Sequence, residues 1–172
     1  MEKRTNEVTF KNNPVTLVGK RLKAGDKAPD FKCLKGLDAV TLADMPHKAL
    51  LFSVVPSLDT GVCSMQTKKF NEQLADLKDK SAAYTISLDL PFAQKRFCDS
   101  EHIANMQSLS DVHNHSFGQN YGVLIEGLPL PLLSRAVFVV DKNGVVTYAE
   151  YVPEVTNHPN YEAAMTALKA VV

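Results

Sequence analysis

The spacing of apolar positions changes several times along the chain, and each change marks an element. Val8 and Phe10 alternate with polar neighbours before Lys11-Asn12-Asn13-Pro14, and Val15 and Leu17 do so after it, which predicts a β-hairpin within residues 1–19. From Lys23 to Lys48, Gly25, Pro29, Gly36 and Pro46 punctuate what can only be short extended pieces. ALLFSVVP, from Ala49 to Pro56, is a continuous apolar run of strand length and predicts a strand covered on both faces. From Val62 to about Lys80 the period becomes helical, with Thr67, Phe70, Leu74 and Leu77 on one stripe and charged residues opposite.

AAYTISLDLP then predicts a second buried strand, PFAQKRFC a short helix opened by Pro91, and SFGQNYG another helical piece ended by Gly122. RAVFVVDKNGVVTYAEYV predicts two strands joined at Asn143-Gly144, and Tyr161, Ala164, Met165, Leu168, Val171 and Val172 form the stripe of a C-terminal helix. Strands and helices alternating in the middle, followed by a hairpin and a helix, predict a three-layer α/β domain with a mixed central sheet flanked by helices. The 172 residues, 45% hydrophobic, suffice for one core, so a single domain over 1–172 is expected.

Charge removes several classes of function. Lysine plus arginine and aspartate plus glutamate both number 19, so no basic field exists to attract nucleic acid or an anionic membrane. The N-terminal MEKRTNEVTF has no apolar stretch of the secretion type, and Pro129, Pro131 and Arg135 break the longest apolar segment; a soluble cytoplasmic protein is expected. With 3 cysteines in a chain of this size, cysteine chemistry points to catalysis or redox work rather than a disulfide framework.

Cys63 falls in the first turn of the helix that follows the first buried strand. The positive end of a helix stabilises an anion, and the thiolate is the nucleophilic form of cysteine. Taken alone, a free cysteine is more often a small buried hydrophobe; the strand, glycine-containing loop and helix start together favour a reactive one. Asp59 or Thr60 is a candidate N-cap, with the alternative that the Thr60 hydroxyl faces Cys63. Gln66 stands where a Cys-x-x-Cys exchange site would need its second thiol, so a partner must come from elsewhere. Spacing alone does not rank Cys98 above Cys33 for that part.

The segment Pro56-Ser57-Leu58-Asp59-Thr60-Gly61-Val62-Cys63 resembles the Pro-x-x-x-Thr-x-x-Cys motif of the peroxiredoxins. With PFAQKRFC downstream and the arginine before AVFVVD, it is similar to the bacterial thiol peroxidase subfamily, of the atypical two-cysteine type, over nearly the whole chain. The resemblance implies a thioredoxin-like fold, Cys63 as peroxidatic cysteine, Cys98 as resolving cysteine in a Cys63–Cys98 disulfide, and Pro56, Thr60 and Arg135 as the rest of the pocket. It also implies hydroperoxide as substrate, thioredoxin as reductant, a homodimer, and neither metal nor organic cofactor. Cys33 matches none of the motifs and reads as packing.

Chemistry gives these residue types their reasons. Thiolate attack on a peroxide leaves negative charge on the departing oxygen, so the site needs fixed donors aimed at sulfur and oxygens. Arg135 supplies a permanent charge to both; its alternative is a strand-end arginine paired with any nearby carboxylate. The Thr60 hydroxyl can donate or accept, and Pro56 acts by shape, shielding the sulfur, or merely ends the strand. A sulfenic acid at Cys63 can condense with a second thiol and so escape over-oxidation. His102, His113 and His115 suggest a metal site only weakly, since no further ligands stand at zinc-like spacing. A cysteine–histidine hydrolase dyad has no signature here. Three functions remain open on residues alone: a peroxidase, a thiol-disulfide exchanger, and a non-catalytic binding or chaperone module.

Overall fold

The computed structural model describes residues 1–172. The N-terminal hairpin pairs β1 (Lys3–Phe10) with β2 (Asn13–Val18), and both residues of its Lys11-Asn12 tip have positive φ, 50° and 67°, as a type I′ turn requires. Next come β3 (Lys32–Lys35), β4 (Asp38–Thr41), β5 (Ala49–Val54), α1 (Gly61–Gln73), β6 (Ser81–Ser87), α2 (Pro91–Ser100) and β7 (Gln107–Ser110). The chain ends with α3 (Ser116–Asn120), β8 (Leu124–Glu126), β9 (Leu132–Leu133), β10 (Ala136–Val140), β11 (Val146–Tyr151) and α4 (Tyr161–Lys169). A seven-stranded mixed sheet runs β11-β10-β5-β6-β7-β3-β4, with β5, β6 and β7 parallel, and a four-stranded sheet runs β1-β2-β8-β9. This is the α/β arrangement with a mixed sheet expected from the order of elements, and the thioredoxin-like fold that the resemblance implies.

Period-two alternation in β5 and β10 divides the core between two faces. Ala49, Leu51, Val137 and Val139 meet Phe70 and Leu74 of the α1 side and Tyr161, Ala164, Met165 and Leu168 of α4. Leu50, Phe52, Val54, Phe138 and Val140 meet Phe31, Phe117 and Tyr121, whose rings stack or cross edge to face. With both faces covered, the strands have no polar side to alternate, which is why ALLFSV and AVFVV read as unbroken apolar runs. No helix is long and apolar enough to cross a membrane.

Several boundaries differ from expectation. The helical stripe was expected to run from Val62 to Lys80, but α1 ends at Gln73, and the bonds Leu77 N–H to Leu74 C=O and Lys80 N–H to Leu77 C=O tighten the chain into successive turns. Leu74 stays buried there, so the apolar spacing outlasts the helix and misplaces its end. β6 stops at Ser87, and Leu88 to Leu90 leave the sheet as a bend that leads into Pro91. In the Asn143-Gly144 turn only Gly144 has positive φ, 81°, because the Asp141 carboxylate accepts from Asn143 and Val145 N–H and holds a wider loop. β7, β8 and β9 had no expectation at all.

The hairpin also grips a distant segment. Thr9 exchanges backbone hydrogen bonds with Pro153 and Val155, while the Glu154 carboxylate accepts from Thr9, Asn12 and Thr156. Partial burial acts to raise the Glu154 pKa, but these hydrogen bonds outweigh it and bring the group from 4.5 to about 2. The folded value lies below the unfolded one, so the stabilisation is complete above about 4.5 and is lost as pH falls through about 2. In an NMR titration, the Asn12 and Thr156 amide shifts should therefore move with a midpoint near 2; a midpoint near 4.5 would mean that these bonds do not hold in solution.

Candidate active site

Cys63 is the third residue of α1, directly after the C-terminal end of β5, and its side chain is fully buried against Val55 and Leu58 with Phe97 of α2 beside them. Thr60 holds the N-cap position with extended backbone, but its hydroxyl does not cap the helix and does not reach Cys63; it donates to Ser57 C=O at 2.9 Å. Both readings of Thr60 given above are thus corrected at the level of its hydrogen bond. The reason is local: Ser57 C=O also accepts the Thr60 N–H at 3.2 Å, so the loop closes on itself as a tight turn. Asp59 does not cap the helix either, and faces Arg96 at 3.8 Å on the surface. Pro56 is buried at the end of β5, where it leads the chain out of the sheet.

Arg135, between β9 and β10, is only 2% exposed. Its Nη2 lies 3.3 Å from Cys63 Sγ, its Nη1 donates to Gln66 Oε1 at 2.9 Å, and its Nε donates to Val155 C=O at 2.7 Å. No carboxylate pairs with it, so the strand-end ion pair considered for this arginine does not occur. Burying a guanidinium without an anion is expensive; of the groups that hydrogen-bond it only the Cys63 sulfur can ionise, and the Tyr161 phenol, close enough to feel the charge, has its own pKa raised by burial. Gln66 is itself fully buried, and its amide donates to Ser53 of β5 at 2.8 Å, which fixes which end of the amide faces Arg135.

Gln66 and Ser53 escaped the reading of the sequence. A signal existed: Gln66 is three residues after Cys63, hence on the same face of α1, where an amide in an otherwise apolar stripe must find buried partners. Val155 could not be found that way, because it acts through its carbonyl.

Cys98 is on α2, half-buried, with its sulfur 3.8 Å from the Ser108 hydroxyl of β7. Burial pushes its thiol up, partly offset by the Ser108 contact. All three cysteines are free, and Cys98 lines a groove of about 590 Å³ with Gln94, Met106 and Ser108. The structure thus brings Cys63 and Arg135 together, while the Cys98 sulfur is turned to Ser108. Cys33, in β3, is fully buried, and its thiol donates to the buried Asp111 carboxylate at 3.6 Å. Burial pushes the Cys33 thiol far up, and the negative Asp111 adds to the effect, so it is a poor nucleophile as well as a packed one. His102 follows α2, and His113 and His115 lie in the loop between β7 and α3.

Comparison with known proteins agrees with this geometry. Residues 23–165 match the Redoxin family model. The thiol peroxidase of Bacillus subtilis is 54% identical over 167 residues, covering 96% of this chain and 98% of its relative, and that of Streptococcus pneumoniae is 50% identical over 165 residues, covering 95% and 99%. A peroxiredoxin-like protein from Aquifex aeolicus has a crystal structure that superposes with a TM-score of 0.89 at 43% identity, covering 98% of this chain and 99% of that one. The chain belongs to the redoxin family, in its thiol peroxidase branch.

If Gln66 orients Arg135, Gln66→Met should do two things at once. Ser53 and one guanidinium N–H lose their buried partner, so urea unfolding should report a loss of roughly 1–3 kcal/mol. Iodoacetamide should also modify Cys63 more slowly at neutral pH, in native protein followed by intact mass. An unchanged rate would mean that Arg135 holds its place without Gln66.

Proposed function

We propose that Cys63 is the nucleophile of a thiol-dependent hydroperoxide reductase and that Cys98 resolves the oxidised sulfur. The relatives at 54% identity are named for that peroxidase activity. The observation that carries the assignment of residues is the 3.3 Å contact between the buried Arg135 guanidinium and Cys63 Sγ. A fixed positive charge there needs no rearrangement when charge moves from sulfur to oxygen.

The thiolate attacks one oxygen of the hydroperoxide, a sulfur–oxygen bond forms as the O–O bond breaks, and the leaving alkoxide or hydroxide takes a proton to become alcohol or water. Cys63 is left as a sulfenic acid. Arg135 has N–H groups directed at the sulfur and can follow the developing charge onto the oxygens. Thr60 borders the cleft of about 350 Å³ between the start of α1 and the end of α2, and from there its hydroxyl can bind the incoming peroxide once its bond to Ser57 loosens. Pro56 keeps water from the buried side of the sulfur.

Cys98 then attacks the sulfenic sulfur, a disulfide forms, and water leaves. A disulfide needs Cα atoms within about 7 Å and converging Cβ vectors. In the intact α2 the Cys98 sulfur is turned to the Ser108 hydroxyl of β7, and both cysteines are free thiols. Resolution therefore proceeds through fraying of Thr60 to Met65, of Phe92 to Ser100, or of both. An external dithiol returns the disulfide to two thiols; thioredoxin is the proposed reductant, acting on a cytoplasmic homodimer.

Cys63→Ser should abolish peroxide consumption with the fold intact by circular dichroism, and retained activity would sink the assignment. Cys98→Ser should allow one oxidation per chain and then stall, with over-oxidised Cys63 accumulating in intact mass; undiminished turnover would point to a resolving thiol from a second chain. Arg135→Lys keeps the charge but cannot reach Cys63, Gln66 and Val155 together, so the rate of Cys63 oxidation should fall by about tenfold or more. A rate equal to wild type would make the arginine structural.

A further inference from the structure

Asp89 lies in the bend between β6 and α2, away from the reacting sulfur, yet its carboxylate is the meeting point of the two cysteine-bearing segments. Oδ1 accepts from the Ser57 hydroxyl at 2.7 Å, and Oδ2 accepts from Leu58 N–H at 2.8 Å and the Ser87 hydroxyl at 2.7 Å. Two of these three donors belong to the loop that runs from Pro56 into Cys63. No basic side chain pairs with the carboxylate. Its charge is thus held entirely by hydrogen bonds, each stronger for being charge-assisted.

The backbone of Asp89 is tied down as well. Its carbonyl accepts from the Ser110 hydroxyl of β7 at 2.6 Å, and its N–H donates to Ser87 Oγ at 3.3 Å. Gln94 of α2, fully buried, donates to the same Ser87 Oγ at 3.1 Å and to Leu109 C=O at 2.9 Å. From the carboxylate the connection continues outward: Ser57 C=O takes both the N–H and the hydroxyl of Thr60, and Leu58 packs on Cys63. One side chain therefore fastens the start of α1 to the start of α2.

We propose that Asp89 is the positioning residue that holds the loop before Cys63 closed, and so sets how Cys63 divides its time between reacting with peroxide and meeting Cys98. The inference rests on the reading of Cys63 and Cys98 given above. Peroxide attack needs the closed arrangement, in which Arg135 lies against the sulfur. Disulfide formation needs the open one, because in the intact α2 the Cys98 sulfur is turned to Ser108 of β7. A clamp that joins the two segments favours the first step and opposes the second. Loss of the carboxylate should move the two rates in opposite directions, whereas a residue that only stabilises the fold would lower both or neither.

The test is single-turnover oxidation of the reduced full-length protein by hydrogen peroxide, with sulfenic acid and disulfide formation followed separately by rapid quench and intact mass. In Asp89→Ala, oxidation of Cys63 should slow by about tenfold, the size of one lost charge-assisted hydrogen bond, while disulfide formation quickens and the over-oxidised fraction at high peroxide falls. Ser57→Ala, which removes a single donor and leaves Leu58 N–H in place, should show the same pattern more weakly. Both steps slowing together, or neither changing, in both variants would overturn the clamp. Wild-type protein is the control for the underlying reading: if it forms no Cys63–Cys98 disulfide, the assignment of Cys98 fails and the clamp with it. A normal disulfide in wild type with unmoved variants defeats the clamp alone.

Discussion

A guanidinium that is 2% exposed and has no carboxylate beside it dictates much of this structure. Arginine does not lose its proton in proteins, so the charge of Arg135 is permanent and must be met by dipoles and by an anion. The dipoles come from Gln66 and Val155, and under the function proposed above the anion is Cys63, whose sulfur lies 3.3 Å from the guanidinium. Each of these needs its own support. Gln66 is held by Ser53 of the central sheet. Val155 is held by Thr9 of the N-terminal hairpin and lies next to Glu154, which the same hairpin grips. The hairpin, peripheral in sequence, is in this way a brace for the residues around Arg135.

That arrangement creates a conflict which the second cysteine exposes. The more firmly Cys63 is held against Arg135, the less readily it meets a thiol on another helix. Cys98 lies half-buried beside Ser108, and burial pushes its thiol up. Cys33 is denied any such part by complete burial and by its bond to Asp111. The three cysteines differ in their surroundings: a cation beside the first, a hydroxyl of β7 beside the second, a carboxylate in a closed core beside the third.

Much of this was legible in the residues. Continuous apolar runs marked β5 and β10, the KNNP turn marked the hairpin, and Pro91 marked the start of α2, each because local chemistry and tertiary position agree. The end of α1 was not legible, because Leu74 and Leu77 keep a helical spacing although the backbone has tightened into turns. Strands β7, β8 and β9 were missed because Gln107–Ser110 is polar and the other two are too short for any period to declare itself. At the site, Cys63 and Arg135 were named and are found in contact, while Thr60 turns its hydroxyl to Ser57 instead. Partners that act through a carbonyl, as Val155 does, or through a bend, as Asp89 does, leave little trace in residue type.

The claim on which all else rests is that Cys63 carries the negative charge that Arg135 requires. It is tested most directly by the ultraviolet absorbance of thiolate in the reduced, folded protein at neutral pH, compared between wild type, Cys63→Ser and Cys98→Ser. The account predicts an absorbance that disappears in Cys63→Ser, persists in Cys98→Ser and is lost from the wild type on addition of peroxide. Equal absorbance in wild type and Cys63→Ser would contradict it, since the buried guanidinium would then face a neutral thiol.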